Sequence, residues 1–137
     1  MRSLLAAVGL TATVLLAACG GDAGTPPMQA TLAGTWNLAT VNGLPLPFTV
    51  QPANPKVEIL SDQLILTAGG TFSQSIQARE TSGSNVTTQQ IDDGGTYVAS
   101  GKTASFLFND GSSGNGTIEG DALTVTDVGY ALVYRKQ

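Results

Sequence analysis

The sequence contains no histidine, a single cysteine and few charged side chains. Without histidine, the chain lacks the side chain that most often acts as a general base or metal ligand near neutral pH. A single cysteine excludes an internal disulfide. Six Lys and Arg residues stand against ten Asp and Glu residues, so there is no basic stripe for nucleic acid. We therefore predict no enzyme, no catalytic residue, no metal site, no cofactor and no nucleic-acid partner.

Residues 1–18 have the three-part form of a secretory signal peptide. Arg2 supplies a positive charge, and an uncharged run of 15 residues follows from Leu4 to Ala18. This run is shorter than the roughly 20 residues of a membrane-spanning helix. The segment predicts export, with cleavage after the small residues Ala17 and Ala18.

The only cysteine follows the export segment directly, in Leu16-Ala17-Ala18-Cys19. This motif resembles the lipobox of bacterial lipoproteins. In that family the chain is cleaved before the cysteine, so the resemblance implies lipidation at Cys19 with acyl chains such as palmitate. Gly20 stands where an Asp would favour the inner membrane in that family, and we therefore expect the outer membrane. The alternative is an ordinary signal peptide with a chance cysteine.

The remaining chain divides into a flexible tether at 19–33 and one domain at 34–137. The tether prediction rests on the small, polar and helix-breaking residues at 20–27. Removal of 18 residues from 137 would leave 119, which is enough to bury a core. We expect a monomer in the bacterial cell envelope, held to a membrane through Cys19 and facing the periplasm or the cell surface.

No stretch after Cys19 has sustained helical periodicity, whereas alternation of apolar and polar residues recurs. Trp36 and Leu38 alternate with smaller or polar neighbours, and Asn42-Gly43 then provides a strong turn signal. With this first strand there are about ten strand candidates, joined mostly by tight turns. The pattern predicts an all-β protein, an antiparallel up-and-down β-barrel of about eight to ten short strands.

Several breaks between the strand candidates are predicted from turn-forming residues. Ser61-Asp62 and residues 92–95 are predicted turns, because Asp, Ser and Gly favour turns. Residues 109–116 are predicted to form a long flexible loop. The proline-rich stretch 44–55 is predicted to be an edge or a loop folded over one end of the core, since proline cannot donate to a ladder.

Four short motifs resemble those of small bacterial lipocalin-like domains. They are Gly34-Thr35-Trp36 with its following Asn42-Gly43, Gly69-Gly70-Thr71-Phe72, Gly94-Gly95-Thr96-Tyr97, and the last strand from Tyr130 to Arg135. The resemblance covers residues 34–137 and implies a lipocalin-like barrel that the first-strand Trp closes at one end. It also implies a cation–π contact of Arg135 over Trp36.

Whether such a barrel holds a ligand depends on its interior volume, because eight strands leave room for side chains or one small molecule. The predicted inward residues are rich in aromatics, which favours filling: Trp36, Leu38, Val57, Ile59, Phe72, Ile76, Tyr97, Phe106, Phe108, Leu123, Val125, Leu132 and Tyr134. Gln74 falls on the same face as Phe72 and Ile76, where its amide needs a partner. That partner is a ligand, a buried water or a Tyr hydroxyl, unless a bulge after Ser73 turns Gln74 outward.

Two functional interpretations follow. The leading one is a non-enzymatic, lipid-anchored envelope protein that binds a small apolar ligand, with candidate ligand-binding residues Gln74, Trp36, Tyr97 and Phe106. The alternative is a protein-interaction module, such as an envelope inhibitor or assembly factor, that uses the 44–55 stretch or an exposed strand edge. A roomy cavity beside Gln74 favours the first. A packed interior favours the second if these apolar residues are exposed: Leu44, Leu46 and Phe48.

Overall fold

The computed structural model describes residues 31–137, whose strands all belong to one antiparallel sheet. The strands are β1 (Gly34–Val41), β2 (Leu44–Pro45), β3 (Phe48–Gln51), β4 (Lys56–Leu66), β5 (Thr71–Ser82), β6 (Asn85–Ser100), β7 (Thr103–Phe108), β8 (Ser113–Glu119), β9 (Ala122–Asp127) and β10 (Tyr130–Lys136). None of these described residues forms a helix long and apolar enough to cross a membrane. The predicted signal peptide, Cys19 and most of the predicted tether lie outside the described residues.

Eight of the strands close into an antiparallel barrel, which confirms the predicted fold class. Neighbouring strands run in the order β1-β10-β9-β8-β7-β6-β5-β4, and β1 then pairs with β4. This closing seam extends only from the pair Gly34 and Leu66 to the pair Asn37 and Gln63. At its last pair the Gln63 amide donates to Asn37 Oδ1 at 3.0 Å. Beyond the seam β1 pairs with β2 and β4 with β3, so the barrel is closed at one end and open at the other.

Aromatic rings fill the closed end of the barrel. Trp36 is 1% exposed, and its indole N–H donates to the Leu32 carbonyl at 2.9 Å. The Tyr97 hydroxyl donates to the Thr67 carbonyl at 2.6 Å, and the Tyr97 ring stacks on Phe106 with centroids 6.0 Å apart. Burial of these rings stabilises the closed end because each polar tip keeps a hydrogen-bond partner.

The cation over Trp36 is Lys136, and the predicted contact with Arg135 is wrong. Lys136 Nζ lies 5.6 Å from the centroid of the Trp36 ring. Lys136 is the cross-strand partner of Trp36, so the two side chains share a face of the sheet. Arg135 lies one residue earlier and therefore on the outer face, where its guanidinium pairs with Asp121 at 3.1 Å.

A bulge in β1 places Val41 inside the barrel. The register between β1 and β10 shifts between Leu38 and Thr40. An extra residue reverses the alternation of inward and outward side chains beyond it. Leu38 and Val41 are therefore both buried, although a strict period of two would place Val41 outside.

The turn predicted at Ser61-Asp62 is wrong, because β4 continues through these residues with a second bulge. The register between β4 and β5 shifts between Ile59 and Ser61. Before the bulge Ile59 faces the barrel interior, and after it Asp62 and Leu64 do. The bulge therefore places an acidic side chain among the apolar inward residues.

The turn predicted at residues 92–95 is also wrong, because β6 runs through them without a break. A Cβ at Gly95 would collide with the Leu107 carbonyl oxygen, and a Cβ at Gly94 would lie 2.8 Å from the Phe72 carbonyl oxygen. Glycine serves here to let neighbouring backbones approach closely, which is its common role inside a strand.

The long loop predicted at 109–116 is shorter than expected, since β8 begins at Ser113. Gly116 faces the interior, where a Cβ would lie 3.2 Å from Phe106 Cε2 and 3.0 Å from Leu123 Cδ1. The absence of a side chain at this inward position leaves room for the Phe106 ring. A glycine-rich strand that packs against aromatic rings has the composition of a loop, which explains the error.

The proline-rich stretch lies at the edges of the sheet, as predicted. β2 pairs only with β1, and β3 pairs only with β4 among the described strands. Leu46 and Phe48 pack against the core, while Leu44 is 58% exposed.

We expect Gly95→Ala to lower the free energy of unfolding by about 3 kcal/mol, because the new methyl group forces β6 and β7 apart. Urea unfolding followed by the fluorescence of Trp36, the only tryptophan, measures this loss. Gly69→Ala is the matched control, since only Thr67 Oγ1 lies within 4 Å of a Cβ there, at 3.8 Å. It should change stability by less than about 0.5 kcal/mol. Equal effects of the two substitutions would contradict the close-approach explanation.

Candidate functional site

A cavity of about 500 Å³ lies between the aromatic rings of the closed end and the open end of the barrel. Its volume is within the range typical of small-molecule sites. The cavity reaches the surface, because its lining includes Val128, which is 88% exposed. Its walls are mainly apolar and include Leu64, Phe72, Ile76, Phe106, Val125 and Leu132.

The four candidate ligand-binding residues fall into two groups. Gln74 and Phe106 line the cavity. Trp36 and Tyr97 do not line it and are buried among the rings of the closed end. Phe106 belongs to both layers, since it stacks on Tyr97 and meets Phe72 edge-on with centroids 5.4 Å apart. All residues predicted to face inward, except Val57, belong to the core or line the cavity.

Gln74 faces the interior and finds its partners within the protein. The pairing of β5 with β4 and β6 is regular around Ser73 and Gln74, so the bulge considered for this position is absent. The Gln74 amide donates to Asp62 Oδ2 at 2.7 Å and lies 3.4 Å from the Tyr134 hydroxyl. The Tyr hydroxyl was among the expected partners, whereas the carboxylate was not.

Asp62 is the buried polar centre of the cavity, with only 4% of its surface exposed. The Tyr134 hydroxyl donates to Asp62 Oδ2 at 2.6 Å, beside the Gln74 amide. Within residues 31–137 the other carboxyl oxygen, Oδ1, has no hydrogen-bond partner. A carboxylate accepts about four hydrogen bonds in total, so Asp62 keeps unused acceptor capacity.

Burial changes the protonation of this centre. Desolvation raises the pKa of Asp62, and the hydrogen bonds from Tyr134 and Gln74 offset part of that rise. Desolvation and the adjacent Asp62 carboxylate also raise the pKa of Tyr134. The Tyr134 hydroxyl therefore stays protonated and serves as a donor to Asp62.

Sequence reasoning missed Asp62 because Ser-Asp is a common turn pair. Asp62, Leu64 and Leu66 alternate with more exposed residues, and this period of two was the available signal. The bulge at Leu60 obscures this period, because the inward-facing residues of β4 have odd numbers before the bulge and even numbers after it.

Three more aspartates line the cavity toward the open end, and among residues 31–137 no Lys or Arg belongs to the lining. They are Asp93, Asp110 and Asp127. Asp110 Oδ1 accepts the backbone N–H and the hydroxyl of Ser112, which lower the pKa of Asp110. In the described part of the chain, no group of three or more His, Cys, Asp or Glu residues is placed to hold a metal ion.

The comparisons with known proteins bear on this site only by giving no match. The chain matches no family model, no curated protein and no solved structure. The resemblance to lipocalin-like domains stays a prediction from short motifs, and the function is inferred from the geometry of the cavity.

We expect Asp62→Asn to remove a specific pH dependence of stability. Because burial raises the pKa of Asp62 above its ordinary value of 3.8, the folded chain holds a proton that the unfolded chain releases. The free energy of unfolding of the wild type, taken relative to the variant, should fall as pH rises from about 4 through the raised pKa. Urea unfolding at several pH values, followed by Trp36 fluorescence, measures the difference.

Asp121→Asn provides the control for this experiment, because Asp121 is exposed and pairs with Arg135 on the outer face. Because Asp121→Asn leaves Asp62 in place, the fall in stability assigned to Asp62 should persist in its profile. Glu58 and Asp110 have lowered pKa values, so their protonation lowers the free energy of unfolding as the pH falls. This effect is present in every variant and therefore cancels in the comparison. A parallel profile for Asp62→Asn would contradict the raised pKa.

Proposed function

We propose that the chain is a lipid-anchored protein of the bacterial envelope whose barrel binds a small apolar ligand without catalysing a reaction. The observation that carries this proposal is the cavity of about 500 Å³ with mainly apolar walls and an inward polar group formed by Asp62, Gln74 and Tyr134. Such a combination is typical of small-molecule sites, where polar groups orient an otherwise apolar ligand.

The state of the interior supports ligand binding over the protein-interaction alternative. That alternative would be favoured by a packed interior with Leu44, Leu46 and Phe48 exposed. Leu46 and Phe48 instead pack against the core, and Val50 lines the cavity. Of Leu44, Leu46 and Phe48, only Leu44 is exposed.

The anchor and the location rest on the sequence. Cys19 follows an apolar export segment in a lipobox-like motif, and Gly20 replaces the Asp that would favour the inner membrane in bacterial lipoproteins. Several acyl chains would hold the protein stably on the membrane, where a single chain would be marginal. The tether after Cys19 then separates the barrel from the lipid surface.

Native mass spectrometry tests the binding proposal. The full chain is purified from the envelope of its own bacterium and transferred to lipid nanodiscs. We expect a retained small-molecule mass on the wild type. Val125→Phe should lose most of it, because Val125 is buried and lines the cavity, so the larger side chain fills part of the space.

Val98→Phe is the matched control for this substitution. Val98 lies on the outer face of β6 and is 64% exposed. This variant should retain the bound mass at the wild-type level. A wild type without any bound mass, or a mass that survives Val125→Phe unchanged, would count against the cavity as the binding site.

The anchor has its own test. We expect Cys19→Ala to abolish incorporation of radiolabelled palmitate, and Gly20→Asp to shift the labelled chain to the inner-membrane fraction of a density gradient. Gly20→Ala serves as the control and should remain with the outer membrane. A mature chain that carries no acyl mass would support the alternative of an ordinary signal peptide.

A further inference from the structure

The two oxygens of the buried Asp62 carboxylate differ in their hydrogen bonding. Oδ2 accepts from both the Gln74 amide and the Tyr134 hydroxyl, whereas Oδ1 has no partner within residues 31–137. A buried carboxyl oxygen without a donor costs free energy that a packed core would avoid. Because Asp62 lines the cavity, a ligand in the cavity is in position to supply the missing donor.

Gln74 and Tyr134 hold the Asp62 carboxylate in one orientation. Asp62 is the cross-strand partner of Ile76, so Gln74 lies diagonally across from it on the same inward face. Tyr134 reaches the same oxygen from β10, which is separated from β4 in the barrel only by β1. Two donors on Oδ2 from two strands fix the carboxyl plane, which preorganises the other oxygen for a ligand.

Within the part of the chain that the structure describes, the charges that line the cavity all have one sign. Asp62 lies inside, and Asp93, Asp110 and Asp127 lie toward the open end. In the described residues the salt bridges involve other carboxylates, those of Glu58 and Asp121. A cleft lined by like charges concentrates ions of the opposite sign, so this cavity attracts cations and repels anions.

These two features select among apolar ligands by their head groups. A fatty acid would place a second carboxylate beside Asp62, and the described lining offers no Lys or Arg to pair with it. An alcohol would donate a hydrogen bond but leave the negative charge uncompensated. An ammonium group donates a hydrogen bond and also compensates the negative charge. Its hydrogen bond to a carboxylate is stronger than one between neutral groups.

We propose that the cavity binds a small apolar amine as its ammonium ion, which donates to the Asp62 carboxylate while its hydrocarbon body packs against Phe72, Phe106 and Leu132. This inference rests on the proposed function, since it names the class of ligand for the same cavity. The acidic open end attracts the cation, and the apolar wall selects for its hydrocarbon body.

The protonation of both partners agrees with this pairing. An alkyl amine has a pKa close to that of a Lys side chain, about 10.4, so it carries a proton near neutral pH. Burial raises the pKa of Asp62 in the free chain. An adjacent ammonium ion favours the charged carboxylate and lowers that pKa again.

A set of three compounds with one apolar body tests the proposal. We would titrate the full chain in lipid nanodiscs with adamantylamine, adamantanol and adamantane carboxylate by calorimetry, and subtract titrations of empty nanodiscs. We expect the amine to bind about tenfold tighter than the alcohol, because a charged donor strengthens the hydrogen bond. The carboxylate should bind weakest of the three.

Asp62→Asn should reduce the advantage of the amine over the alcohol to about twofold or less while the alcohol still binds, because the charge is removed and the apolar wall remains. Asp121→Asn makes the same change of charge on the outer face and should keep the wild-type preference. A measurement on the wild type needs no variant: the carboxyl carbon resonance of Asp62 should titrate at lower pH when the amine is bound.

The outcomes separate the two proposals. If none of the three compounds binds, the amine assignment is overturned, and the mass retained in native mass spectrometry decides separately whether the cavity binds another apolar ligand. If the alcohol or the carboxylate binds as tightly as the amine, apolar binding stands and the amine assignment is overturned. The assignment is also overturned if Asp62→Asn keeps the preference for the amine, or if the bound amine leaves the titration of Asp62 unchanged.

Discussion

The short seam between β1 and β4 is the constraint on which the rest of the structure depends. It joins the two ends of the barrel sheet from the pair Gly34 and Leu66 to the pair Asn37 and Gln63. Where the seam holds, Trp36 and the rings around it are buried in the interior. Where it ends, β1 and β4 turn to the edge strands β2 and β3, and the barrel widens. The same closure therefore explains both the solid closed end and the open cavity.

Bulges decide what faces that cavity. A strand has a side-chain period of two, so one extra residue exchanges its inner and outer faces. The bulge in β1 brings Val41 inside, and the bulge in β4 brings Asp62 inside. The barrel interior thus acquires one buried carboxylate, beside the Gln74 amide that alternation already places there. Bulges occur often beside functional sites, where they redirect a side chain.

The buried Asp62 carboxylate lowers the free energy of unfolding, and the rest of the fold compensates for this loss. Burial disfavours its charged form, and only Oδ2 receives donors among the described residues. The packed rings of the closed end supply stability that does not depend on the cavity, since Trp36 and Tyr97 have their own partners. This division allows the open end to keep free space and an unpaired acceptor, which a ligand site needs and a core would exclude.

The sequence by itself determined the class of the fold and most of the inward residues, because alternation, tight turns and Trp36 on the first strand are local signals. It also placed Gln74 inside. Only the tertiary structure decided that Gln74 meets Asp62, that Lys136 covers Trp36, and that β6 runs straight through two glycines. Bulges and close backbone approaches arise from how strands pair, and pairing joins residues far apart in the chain. A local sequence pattern contains no information about the partner strand, so only the tertiary structure shows that the Asp62 carboxylate faces the cavity.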